Sequence, residues 1–122
     1  MGVKYMKITE TVQVGDWKAE KHVPVLHVAR SEGTLEITAV VGEEIEHPNT
    51  LEHHIGWIKV FFQPEGAKFP IEVGSYNFSA HGEDEVFSKP EVSVKIKTDK
   101  KGTVHALSYC NIHGLWESAE EV

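Results

Sequence analysis

Apolar and polar side chains alternate along several short stretches of the chain, as in strands that bury one face. The clearest case is residues 92–96, where valine and isoleucine at every second position are separated by serine and lysine. Comparable β-branched or aromatic stretches are residues 23–29, 35–41, 55–63, 71–73, 76–80 and 103–109. Short strands spaced by turns predict an all-β protein built as a sandwich or barrel.

Proline and glycine add detail to this pattern. Pro24 restricts the first stretch to a sheet edge or to the start of a strand, because proline has no N–H to donate. Gly74 and Ser75 separate the stretch before them from the stretch after them, which predicts two short strands there. Residues 50–53 are compatible with a single helical turn, although no part of the chain carries a helical stripe of apolar residues.

Length and charge limit the possible functions. The 122 residues predict one domain spanning 1–122. Nineteen acidic against twelve basic residues give a net charge of −7, which argues against nucleic-acid binding because that requires a basic surface. No apolar run approaches the roughly 18 residues of a membrane-spanning helix. The first residues, MGVKYMKITE, contain no apolar leader segment, so a cytoplasmic location is expected.

The candidate chemistry lies in eight histidines and one cysteine. Two irregular stretches beside predicted strands hold several of them, namely residues 47–54 (HPNTLEHH) and 110–114 (CNIHG). A loop of this length can turn the Cys110 thiolate and the His113 imidazole toward one point. His22, just before the first clear stretch, would add another imidazole from a third segment.

A nitrogen-rich set with a single thiolate differs from a structural zinc site, which usually contains two or more cysteines. Imidazole suits iron, copper, nickel and zinc, and a thiolate adds electron density to the metal. Five ligands around a six-coordinate ion would leave one position open for substrate, which favours redox iron over zinc. His53 and His54 point opposite ways in an extended chain, so spacing alone does not decide which of them binds.

Three segments resemble the superoxide reductases, specifically the short one-iron form of neelaredoxin type, which is related to the iron-site domain of desulfoferrodoxin. They are residues 15–24 (GDWKAEKHVP), 47–55 (HPNTLEHHI) and 108–116 (SYCNIHGLW). The resemblance implies an immunoglobulin-like, seven-stranded β-sandwich or barrel. It also implies a mononuclear non-haem iron that reduces superoxide to hydrogen peroxide, a rubredoxin-like electron donor and a homotetramer.

The resemblance assigns individual residues as well. The implied iron ligands are four in-plane histidines and one axial cysteine: His22, His47, His53, His113 and Cys110. Glu20 corresponds to a carboxylate that occupies the sixth position in the oxidised state. Lys21 corresponds to a lysine that approaches this position, which is open in the reduced state.

Two other functions compete with this one. Blue-copper electron carriers are also β-sandwiches with a late cysteine and histidine, and they use a methionine as a weak axial ligand. Here the only methionines are Met1 and Met6, and the residues after His113 are Gly-Leu-Trp-Glu. The third possibility is a metal-free immunoglobulin-like binding module, which explains the strands and leaves the histidines and the cysteine as a coincidence.

Overall fold

Seven strands make up most of the described chain. The computed structural model of the protein describes residues 5–16 and 20–122. The strands are β1 Pro24–Ser31, β2 Thr34–Val41, β3 Ile55–Pro64, β4 Ile71–Asn77, β5 Glu91–Lys97, β6 Gly102–Cys110 and β7 Gly114–Glu121. Two short 3₁₀ turns, Ile8–Thr11 and Glu83–Glu85, are the helical elements of the described residues. None of the helices there is long and apolar enough to cross a membrane.

The strands form two antiparallel sheets that face each other across one apolar core. One sheet has the order β1-β2-β5 and the other β4-β3-β6-β7. Leu35 and Ile37 from the first sheet meet Ile58, Val60 and Val104 from the second, and all five side chains are fully buried. The predicted all-β, seven-stranded, immunoglobulin-like sandwich is confirmed.

The predicted break in the middle of the chain is wrong. Residues 71–77 form one continuous strand, and residues 78–80 lie outside it. The pairing register shifts between Val60 and Phe61, so that Val60 pairs with Gly74 while Phe61 pairs with Glu72. Gly74 therefore marks a β-bulge, a common role for glycine inside a strand. A Cβ atom there would lie 3.0 Å from the Tyr76 ring.

The last strand and one turn also depart from the sequence pattern. No strand was predicted for residues 114–121, because Trp116 is their one buried side chain and no alternation results. Pairing along β6, from Thr103 opposite Glu121 to Cys110 opposite Gly114, holds this strand in place. The helical turn expected at residues 50–53 is absent from the described structure, which has bends there.

Strand registers bring three irregular segments to one end of the sandwich. Pro24 at the start of β1 lies opposite Val41 at the end of β2. Ile55 at the start of β3 lies opposite Cys110 at the end of β6. The residues before β1, the loop between β2 and β3 (residues 42–54, the metal loop) and the β6–β7 turn therefore meet at this end.

Candidate metal centre

The segment before β1 fixes the position of His22. Its carbonyl accepts a hydrogen bond from the buried Ser108 hydroxyl at 3.2 Å, which ties the segment to β6. Its backbone N–H donates to Glu20 Oε1 at 2.9 Å, and its ring Nδ1 bonds to the same oxygen atom. The Trp116 ring stacks on the imidazole with centroids 4.9 Å apart. These contacts leave Nε2 as the ring nitrogen that faces His113, 3.0 Å from its Nδ1.

The metal loop supplies His47 and His53. Gly42 begins the loop with φ of +82°, and a Cβ atom there would lie 2.8 Å from the His47 backbone nitrogen. Glycine is therefore required at this close approach. His47 Nδ1 donates to the Pro48 carbonyl at 2.6 Å, which places the lone pair on Nε2. Reciprocal backbone hydrogen bonds between Thr50 and His53, at 2.9 and 3.2 Å, close the bend that presents His53.

The β6–β7 turn supplies Cys110 and His113. Cys110 is fully buried at the end of β6. The His113 backbone N–H points at its sulfur with an N···S distance of 3.4 Å. The His113 carbonyl accepts hydrogen bonds from Gln13 Nε2 at 2.6 Å and Trp116 Nε1 at 3.2 Å. Gly114, with φ of +82°, then turns the chain into β7. Gln13 and Trp116 thus hold the turn from both sides.

The side chains of these three segments converge on one point. Four donor atoms lie within 4.8 Å of one another, one each from His22, His47, His53 and Cys110. His113 Nδ1 is close to two members of this set, 3.0 Å from His22 Nε2 and 3.7 Å from Cys110 Sγ. All five residues expected as ligands are therefore brought together.

The four imidazoles form a closed square. Neighbouring ring centroids are 4.7 Å apart for His22–His47, His47–His53 and His22–His113, and 5.0 Å apart for His53–His113. The diagonal between His22 and His53 is 6.3 Å. An ion could be held between four imidazoles arranged in this way. The candidate ligand atoms are the buried Nε2 atoms of His47 and His53 and the neighbouring His22 Nε2 and His113 Nδ1.

Two ring nitrogens in this square show that its residues fit a metal. His47 Nε2 and His53 Nε2 are buried and have no hydrogen-bond partner within the described part of the chain. Buried polar atoms are nearly always paired, because an unpaired one costs free energy. A bound ion would satisfy both nitrogens, and an imidazole-rich set with one thiolate suits iron. The donor set fits one mononuclear iron.

The local electrostatics keep the imidazoles available as ligands. Burial lowers the pKa of His47 to about 4; the Lys21 ammonium adds to this shift, and the His22 and His53 rings add to it when they are protonated. Burial likewise lowers the pKa of His53, with contributions from His113, His22 and Lys21. Both rings are therefore neutral at neutral pH, and neutral imidazole is the form that binds metal ions.

Glu20 and Lys21 lie beside the square in different ways. The half-buried Glu20 carboxylate accepts hydrogen bonds from the His22 ring and backbone. Desolvation raises the pKa of Glu20, but these bonds outweigh it and the net shift is downward. Lys21 is half-buried, and its charge reaches His47 and His53. Residues 17–19 of the matching segment, including Trp17, lie outside the described residues.

Sequence reasoning missed several residues that support the square. Ser108 is a polar side chain at an inward-facing position of β6, a detectable signal. Asn111 is a second missed residue. Its Oδ1 accepts from the His54 N–H at 2.8 Å, and its Nδ2 donates to the Glu52 carbonyl at 3.0 Å. Asn111 thereby joins the β6–β7 turn to the metal loop. Gln13 gives no signal, because its partner is one hundred residues away.

Comparisons with known proteins agree with this geometry. Residues 14–119 match the family described as Desulfoferrodoxin. The chain is 50% identical over 111 residues to a superoxide reductase of Pyrococcus horikoshii, covering 91% of this chain and 95% of that protein. It is 44% identical over 127 residues to the neelaredoxin of Megalodesulfovibrio gigas, covering 96% and 98%.

A solved structure shows the same likeness. The superoxide reductase (neelaredoxin) from Archaeoglobus fulgidus in the reduced form superposes with a TM-score of 0.87 at 50% identity, covering 93% of this chain and 98% of that chain. The chain belongs to the desulfoferrodoxin family, within which its relatives are superoxide reductases and neelaredoxins. The resemblance seen in the sequence is confirmed.

The competing functions are not favoured. A blue-copper site uses two histidines and a cysteine with a weak axial ligand, whereas four imidazoles converge here. A metal-free binding module gives no reason for two buried ring nitrogens that have no partner in residues 5–16 and 20–122.

Proposed function

We propose that this chain is a superoxide reductase. The reaction consumes one superoxide anion, one electron and two protons and releases one hydrogen peroxide, with no oxygen formed. The observation that carries the proposal is the convergence of three imidazole nitrogens and one thiolate within 4.8 Å, with a fourth imidazole beside them.

The proposed ligands of the iron are His22, His47, His53 and His113, with Cys110 as the sulfur ligand. A bound iron would supply one-electron redox chemistry and a binding position for a small anion. Hydrogen bonds within the chain orient the donor atoms. Glu20 bonds to the His22 ring, the Pro48 carbonyl accepts from the His47 ring, and Asn111 links the two loops that carry the ligands. Such outer hydrogen bonds fix the orientation of metal ligands.

Lys21 is proposed to attract the substrate. The chain carries a net charge of −7, which disfavours the approach of an anion. A half-buried ammonium at the site provides local positive charge, and local fields steer small ions even when net charge opposes them. Lys21 also orders water from which the reduced oxygen species takes protons.

Glu20 is proposed as a further residue that would hold the iron in its oxidised state, which would help the product leave. In the conformation described here its carboxylate bonds to His22 instead. The proposed change therefore requires that Glu20 release the His22 ring, which keeps its stacking contact with Trp116.

The remaining proposals concern the setting of the reaction. The electron comes from a small one-electron carrier of rubredoxin type, because each turnover consumes one external electron.

The chain forms a homotetramer, which the high exposure of Tyr5 (81%), Met6 (66%) and Ile8 (70%) near the N-terminus supports. Residues 1–122 act as one iron-binding domain in the cytoplasm, where a lone buried thiol stays reduced.

Elemental analysis and product counting test the proposed function together. Protein purified without added metal should contain about one iron per chain, as the single ligand set implies. With an electron donor present, the iron protein should form one peroxide per superoxide and release no oxygen. Release of oxygen with half as much peroxide would indicate a dismutase instead, and copper in place of iron would favour the electron carrier.

A further inference from the structure

A second buried histidine lies outside the proposed ligand set. His81 is only 6% exposed and belongs to residues 78–88, which follow β4. This segment folds back on itself: Ser88 N–H donates to the Ala80 carbonyl at 2.6 Å, and Gly82 N–H donates to the Val86 carbonyl at 2.8 Å. Its shape therefore rests on its own backbone hydrogen bonds and does not depend on the His81 ring alone.

Both nitrogens of the His81 ring face oxygen atoms. Nδ1 lies 2.7 Å from Asn49 Oδ1, and Nε2 lies 2.9 Å from the Phe78 carbonyl. Asn49 Nδ2 donates to the Ser88 carbonyl at 2.9 Å. Because a carbonyl only accepts, this bond fixes the orientation of the Asn49 amide and leaves its oxygen to accept from His81. The ring thus lies between two acceptors on different segments, and a neutral imidazole, which carries one N–H, donates to one of them.

The partner of Nδ1 is part of the metal loop. Asn49 lies between His47 and His53, and its amide spans the gap from this loop to the 78–88 segment. The His81 ring also stacks on His54, the residue after His53, with centroids 3.6 Å apart and planes 11° from parallel. His81 therefore contacts the metal loop at two places, between its two ligands and just after the second.

We propose that His81 is a positioning residue for the metal centre: its Nδ1–H, acting through the Asn49 amide, holds the metal loop in the conformation that presents His47 and His53. Asn111 ties the loop on the side of the β6–β7 turn, and His81 ties it on the side of the 78–88 segment. The consequence for iron rests on the proposed function, whereas the hydrogen bonds belong to the chain itself.

Two conservative substitutions separate the hydrogen bond from the packing. In His81→Asn the side-chain amide lies near the position of Nδ1 and can still donate to Asn49. In His81→Gln the amide reaches the position of Nε2, so it can donate to Phe78 but leaves the buried Asn49 oxygen unpaired. Both variants lose the stacking on His54, so packing alone predicts equal effects. His105→Gln, in β6 near the opposite end of the sandwich, is the control for changing a histidine to glutamine.

The first readout is amide hydrogen exchange in metal-free protein. The His53 and His54 amides donate to Thr50 O and Asn111 Oδ1. In His81→Gln we expect both to exchange about tenfold faster, the effect of one unpaired buried acceptor. In His81→Asn and His105→Gln they should exchange as in the wild type. The second readout is the rate at which reconstituted protein loses iron to a chelator, with the same ordering of variants.

The outcomes distinguish the possibilities. Equal acceleration of exchange in both His81 variants, or none in either, would overturn the proposal. Faster exchange in His81→Gln alone, in a chain that takes up no iron, would support the positioning role and reject the proposed function. If His81→Gln does not fold, Asn49→Ala removes the same bond from the other side, together with the Asn49 bond to Ser88, and should accelerate exchange at least as much. Unchanged exchange there would also overturn the proposal.

Discussion

Two groups of histidines lie at the same end of the sandwich and differ in how their ring nitrogens are paired. In the square, His47 Nε2 and His53 Nε2 are buried without partners in the described structure. In the neighbouring stacked pair, both nitrogens of His81 face oxygen atoms and His54 Nδ1 bonds to the Thr50 carbonyl at 2.8 Å. A histidine cluster is thus identified as a metal site by ring nitrogens that the described residues leave unpaired, whereas the nitrogens of the neighbouring pair face protein oxygen atoms.

The largest expected effect comes from removing the sulfur of the square. Cys110→Ser replaces a thiolate ligand with a hydroxyl that does not ionise near neutral pH. We expect loss of the thiolate-to-iron absorption band and a fall in superoxide reduction of more than about a hundredfold, since even outer partners of metal ligands are worth ten- to hundredfold. Optical spectra of the oxidised, reconstituted variant check this, and a surviving band would exclude Cys110 as a ligand.

The next test contrasts two adjacent histidines, one from each group. His53→Ala should reduce iron affinity by about a hundredfold or more, by the same comparison with outer partners. His54→Ala should retain the metal. In metal-free protein the order reverses: His54→Ala removes the stacking on His81 and the bond to Thr50 and costs about 1–2 kcal/mol of unfolding free energy. His53→Ala removes a ring whose Nε2 has no partner among the described residues.

Iron titration and denaturant unfolding of the two variants measure both halves of this contrast. If His54→Ala lost the metal and His53→Ala kept it, the assignment of the two groups would be reversed. Equal loss of iron from both variants would mean that an unpaired ring nitrogen does not identify the metal ligand in the metal loop.

The strands show how far the sequence pattern reaches. Residues 92–96 alternate cleanly, because their strand has one face toward the core and one toward solvent. Residues 103–109 were predicted as a strand from their composition, and both predictions are confirmed. β7 was not predicted, because pairing with β6 rather than alternation defines it. Gly74 was interpreted as a break between two strands. In the structure β3 pairs with β4 on both sides of Gly74, so the irregularity is a β-bulge within one strand.

The site shows a similar division. Cys110 and His113 are the first and last of four consecutive residues at the β6–β7 turn, so their proximity follows from the sequence. The choice of His53 over His54 came from the family resemblance. Spacing alone allows either histidine to bind the metal until the bend at residues 50–53 is known. The His81 ring lies beside Phe78 of its own segment and beside Asn49 of the metal loop. Only tertiary structure brings Asn49 and His81 together, and no local pattern predicts that contact.

A smaller effect is expected from the charge beside the square. Lys21→Ala should slow the second-order capture of superoxide by about tenfold at low salt and by less at high salt, because ionic screening weakens steering. Iron content should remain unchanged. Pulse radiolysis at several ionic strengths measures the rate, with Lys101→Ala in the turn between β5 and β6 as the control. A capture rate equal to that of the wild type at low salt would remove Lys21 from substrate attraction.

The smallest effect on turnover, and the finest test of the square, concerns Glu20. If its carboxylate becomes a ligand of oxidised iron, Glu20→Ala and Glu20→Gln should both alter the oxidised spectrum while turnover stays within about tenfold of the wild type, the lower range for partners of metal ligands. If Glu20 only orients His22, glutamine should restore the wild-type spectrum, because its amide oxygen still accepts from His22 Nδ1. The spectrum of the glutamine variant therefore decides whether Glu20 joins the metal or stays with the histidine to which it is bonded here.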